Sequence, residues 1–98
     1  MTFEGVLTVF DDYLAEDDSC EVLHTSRGYL VIDWGSEKND WVTTSLCRTP
    51  ERLRDMLRSC YEEYQIFLLT QGGKRDVTMQ EEQEIHNKGA VLAEKISL

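Results

Sequence analysis

The residues of this chain that carry chemistry are three cysteines, two histidines and a dense set of acids. Cys20, His24 and Asp33 supply the types needed for a nucleophile, a base and an orienting carboxylate. They stand on two stretches, CEVLHT and YLVIDW, whose alternation and content of β-branched and aromatic residues read as strands. With Ser26-Arg27-Gly28 as a three-residue hairpin loop and Gly28 at the position that needs positive φ, Thr25 lies opposite Tyr29. That register sends Cys20, Val22, His24, Leu30, Ile32 and Trp34 to the core face. Glu21, Leu23, Thr25, Tyr29, Val31 and Asp33 go to the other. Cysteine and carboxylate then point to opposite sides, no catalytic set converges, and no enzyme activity is expected.

Metal and cofactor chemistry fare no better. His24 and His86 are isolated, and the cysteines have no CxxC spacing and an odd count, so neither a zinc site nor a disulfide framework is indicated. The acids of DDYLAEDD lack the alternating ligands and central Gly of a calcium loop. Gly72-Gly73-Lys74 lacks the upstream Gly, the following Ser or Thr and the preceding strand of a phosphate loop, so it reads as a helix stop. No metal and no cofactor is expected, and Cys60 falls on a helical packing stripe.

Two surface features are left. The first is acidic: Asp11, Asp12, Glu16, Asp17, Asp18 and Glu21 cluster in residues 1–26, a stretch without Lys or Arg in a chain of net charge −9. Such a surface opposes direct binding to phosphate backbones and favours a protein partner with a basic surface. The second is Tyr29, Val31 and Trp41, with Leu23, on the sheet face that the register leaves uncovered. The arginines at 48, 52, 54 and 58 temper the first reading, because they are placed to neutralise the acidic N-terminal segment within the molecule.

The elements that position these groups follow from periodicity and capping. Residues 2–15 read as a first helix capped by Thr2, with Phe3, Val6, Leu7, Phe10 and Leu14 on one side. After the hairpin, GSEKND turns into a third strand, WVTTSLC. Burying Val42 and Leu46 there sends Trp41, Thr43, Ser45 and Cys47 to the outer face and brings Trp41 near Tyr29 and Val31. A long helix spans Thr49 to Gly73, with Thr49 as cap, Pro50 in the first turn, and Leu53, Met56, Leu57, Cys60, Tyr61, Tyr64, Phe67 and Leu68 on one broad face. Thr78 and Glu81 form a capping box for a last helix, which Gly89 is placed to interrupt.

The expected fold is a single α+β domain over residues 1–98, in the order α-β-β-β-α-α, with a three-stranded antiparallel meander and helices mainly on one face. No apolar run approaches a membrane span, and the first residues lack the basic start and apolar stretch of a signal peptide. A reducing cytoplasm is the expected compartment. The expected function is non-catalytic binding of a partner protein through the acidic surface and the aromatic-bearing sheet face. Two alternatives stand beside it. One is inhibition of a nucleic-acid-binding protein by DNA mimicry, by analogy with small acidic inhibitors of phages and mobile elements. The other is self-association as a structural homo-oligomer, a homodimer being the simplest case.

Overall fold

The computed structural model describes residues 1–96, the side chain of Thr43 excepted. The chain runs α1 (Phe3–Val9), α2 (Asp11–Glu16), β1 (Cys20–Thr25), β2 (Gly28–Gly35), β3 (Asp40–Cys47), α3 (Pro50–Leu69) and α4 (Met79–Glu94). The strands form an antiparallel meander in the order β1-β2-β3. Val6, Phe10, Tyr13, Leu53 and Leu57 of the helical layer bury themselves against Cys20, Val31 and Cys47 of the sheet. α4 packs on α3. The shortest extent of the backbone is 18 Å, which accommodates a sheet and one helical layer and leaves the far side of the sheet without a second. This is the expected α+β architecture.

The helices start where their caps are written. Thr49 Oγ1 accepts from the Arg52 amide at 3.2 Å, and Pro50 takes the first turn of α3. The helix stops at Leu69, one turn before the glycine pair, because Gln71 enters the left-handed region at φ 54° and the Gly72 amide donates back to the Phe67 carbonyl at 2.9 Å. The capping box of α4 is formed by Thr78 and Glu81, and Arg75 grips the Glu81 carboxylate through two nitrogens at 3.0 and 2.8 Å. Gly89 does not interrupt α4. It is buried against the Arg58 and Glu62 side chains, where a Cβ would stand 3.1 Å from Glu62. The N-terminal helix, by contrast, is not continuous: it bends at the fully buried Phe10, whose φ and ψ of −93° and 8° separate α1 from α2.

The sheet register differs from the sequence expectation by one residue. Thr25 pairs with Gly28, not Tyr29, so the hairpin loop is the two residues Ser26 and Arg27. Thr25 Oγ1 holds this loop, accepting from the Arg27 amide at 3.1 Å and donating to the Gly28 carbonyl at 2.8 Å. Gly28 still takes a positive φ, 135°, but as the first residue of β2. It also lies so close to the Cys47 carbonyl that no Cβ fits between them. A slip of one residue exchanges the two faces of β2. Tyr29, Val31 and Asp33 therefore join Cys20, Val22 and His24 on the helical side, while Leu30 and Ile32 face away.

On β3 the same logic reverses Leu46 and Cys47: Cys47 is buried in the core, and Leu46 pairs with Leu30 on the open side. A bulge at Asp33/Trp34 then sets Trp41 opposite Trp34, and Val42 remains about half exposed, not buried. The Thr43 side chain lies outside the described residues.

Because Gly28 combines a positive φ with backbone contact to Cys47, Gly28→Ala is expected to cost about 2 kcal/mol or more in chemical denaturation. Ser26→Ala in the same turn is expected to stay within about 0.5 kcal/mol.

Candidate interaction surface

The open side of the sheet is apolar. Alternation along β2 projects Leu30 and Ile32 there, and Leu23 of β1 and Leu46 of β3 pair with Leu30; beyond the bulge Trp34 pairs with Trp41 at the end of the sheet, where Trp34 also lines the cleft that holds Cys60, Tyr64 and Phe67. Leu23 is 46% exposed and Trp34 and Trp41 are each 38% exposed. The two indoles meet edge to face with ring centroids 5.2 Å apart. Ile32, at the centre, is only 6% exposed although it takes no part in the main core cluster. The patch thus has a buried middle and an exposed apolar edge at Leu23.

The aromatic face expected from the sequence is composed differently in the structure. Trp41 belongs to it. Tyr29 and Val31 do not: Val31 is 2% exposed in the core, and Tyr29 packs on Phe3 at 4.7 Å and stacks on His24 at 4.6 Å under the helices. Trp41 also lies at the opposite end of the sheet from Tyr29, which pairs with Cys47. The residues missed were Leu30, Ile32, Trp34 and Leu46. The helices close on Cys20, Val31 and Cys47, which leave them room to approach the sheet, while Leu30, Ile32 and Leu46 stay outside. The Thr-Ser-Arg start of the turn was the usable signal.

The acidic residues divide. Asp11, Asp12, Glu16, Asp18 and Glu21 are exposed. Asp17 is not: at 6% exposure it accepts from the Tyr13 hydroxyl at 2.7 Å and from the Ser19 hydroxyl and amide at 2.6 and 3.1 Å. It closes the turn from α2 into β1. Burial, reinforced by the bond to Asp17, raises the Tyr13 hydroxyl well above the ordinary phenol range. Asp11 and Glu21 share a shallow cleft of about 450 Å³ with Leu7, Leu14 and Leu23, so these two acids border the apolar face at Leu23.

The arginines do not neutralise this acidic strip. Arg58 bonds Glu62 at 3.2 Å and reaches His86 of α4, and Arg54 pairs with Asp55. Among the described residues, no ion pair joins α3 to the acids of α1, α2 or β1.

The register shift also changes the cysteine chemistry. Cys20 and Asp33, assigned to opposite faces by the sequence reading, are directly paired on the same face. Likewise Glu21 faces Ile32 and not Asp33. Cys60 descends from α3 so that its sulfur, the Cys20 sulfur and an Asp33 carboxylate oxygen lie within 4.8 Å of one another. A hydrogen bond between the thiols lowers Cys20 and raises Cys60, while burial and then the Asp17 charge raise the Asp33 carboxyl. His24 stands at the far end of β1, paired with Tyr29, and has no part in this group.

No protein-family model matches the chain, and neither a curated protein nor a solved structure shows significant similarity to it. No helix among the described residues is long and apolar enough to cross a membrane.

Asp17 and Asp18 are adjacent in sequence but unequal in structure. Asp17→Ala leaves the buried Tyr13 hydroxyl without its acceptor and is expected to lower unfolding free energy by about 1–3 kcal/mol. Asp18→Ala is expected to stay within about 0.5 kcal/mol in the same denaturant titration.

Proposed function

We propose that this chain is a small, non-catalytic interaction domain that docks one partner protein on the open sheet face. The observation that carries this reading is the apolar surface of Leu23, Leu30 and Leu46, exposed at Leu23, with the exposed Trp34–Trp41 pair at its end and with acids at its Leu23 border that the protein's own arginines leave unpaired. An apolar centre excludes water and supplies affinity, whereas exposed charges at its border raise the encounter rate and select the partner. The partner implied is a protein with an apolar patch rimmed by Lys and Arg.

Charge also ranks the alternatives. A second copy would bring another chain of net charge −9 against the same face, so a basic partner is preferred over self-pairing. DNA mimicry requires several carboxylates held as a phosphate-like array; the exposed acids of α2 and β1 supply the charge, but the apolar row beside them fits an ordinary protein interface better. The free state of all three cysteines supports assignment to a reducing, cytoplasmic setting.

A photo-crosslinking residue at position 41 tests the proposal. The expected adduct is a single basic protein, lost when Leu30→Asp disrupts the patch. Cross-linking to a second copy, or to nothing in an extract of the source cells, contradicts it. With the partner in hand, Trp41→Ala is expected to weaken binding by about 2 kcal/mol, roughly 30-fold. Asp11→Asn with Glu21→Gln is expected to slow association several-fold at low salt, with the difference vanishing near 1 M salt, where the screening length is about 3 Å.

A further inference from the structure

We infer that Cys20, Asp33 and Cys60 form a binding site for a soft divalent cation of the zinc class. Three elements build it. Cys20 and Asp33 are the facing pair that joins β1 to β2, and Cys60 comes from the sheet-facing stripe of α3. Their three ligand atoms lie within 4.8 Å of one another. Zinc holds sulfur at about 2.3 Å and carboxylate oxygen at about 2.0–2.2 Å, which sets donors around one tetrahedral centre roughly 3.5–4 Å apart. Small side-chain rotations close that gap.

The surroundings favour a cation. A cleft of about 440 Å³ opens onto Cys60 and Asp33, and its wall carries Asp17, Asp18, Asp33 and Glu63 with no Lys, Arg or His. Among the described residues, no hydrogen bond or ion pair reaches the half-buried Asp33 carboxylate. Two thiolates select a soft ion over calcium or magnesium, whose preferred shells are all oxygen. As the two metal–sulfur bonds form, each thiol releases its proton to solvent, and the carboxylate binds in its ionised form. The fourth position faces the cleft and takes water. Since the ligands come from β1, β2 and α3, the bound ion ties the sheet to the helical layer and stabilises the fold by mass action.

Cobalt(II) is the probe, added anaerobically to the reduced, chelator-treated full chain. The expected result is one equivalent bound, with thiolate-to-cobalt charge-transfer absorption and the visible bands of a tetrahedral ion, both abolished by zinc. Cys60→Ser is expected to remove most of the charge-transfer band, and Asp33→Asn to weaken cobalt binding by about tenfold or more. Cys47→Ser, at the far end of the core, is expected to change neither. Zinc is expected to raise the melting temperature of the wild type and not of Cys60→Ser. Because Cys60 is only partly buried, its variant retains a folded chain even if Cys20→Ser does not. An absent band at one equivalent, or a band unchanged in Cys60→Ser, overturns the assignment.

Discussion

The structure depends on the turn between the first two strands. Thr25 clamps a loop of two residues through its hydroxyl, and Gly28 enters β2 with its backbone against Cys47. Together they choose one of two registers. Because side chains alternate across a strand, that choice decides in one step which row meets the helices and which meets solvent. The row under the helices is Cys20, Val22, Tyr29, Val31 and Cys47; the opposite row keeps Leu23, Leu30 and Leu46 in reach of a partner.

The same register serves two regions with different physics. On the open face it places large apolar side chains around a covered Ile32, an arrangement suited to protein contact. On the helical face it sets Cys20 against Asp33 beneath Cys60, in an electronegative cleft closed at its base by Asp17. Asp17 belongs to the second region, although its neighbours in sequence belong to the acidic strip. Its bonds to Tyr13 and Ser19 fix where α2 ends and β1 begins.

Much of the fold was legible from local signals. The caps at Thr2, Thr49 and Thr78, the position of Pro50 and the period shift after Cys20 each act within a few residues, so they can be read from sequence. The register could not be read the same way. Ser26-Arg27-Gly28 is compatible with a three-residue loop as well as with the two-residue loop that Thr25 clamps, and the approach of Gly28 to Cys47 appears only when the third strand is present. That single ambiguity moved Tyr29 and Val31 onto the wrong face, hid Trp34 and Leu30, and separated Cys20 from Asp33. The α3 arginines illustrate a similar limit: their expected pairing with the N-terminal acids gives way to Arg54–Asp55, to Arg58–Glu62 and to the contact of Arg58 with His86 of α4.

The account stands on the pairing of β1 with β2, and cross-strand proton contacts measured by NMR on the reduced protein test it most directly. The predicted result is backbone contact of Val22 with Val31 and of Cys20 with Asp33. Contact of Val22 with Ile32 and of Cys20 with Trp34 would contradict it, since it would return the bulky row to the core and dissolve both the open apolar face and the thiol–carboxylate cluster.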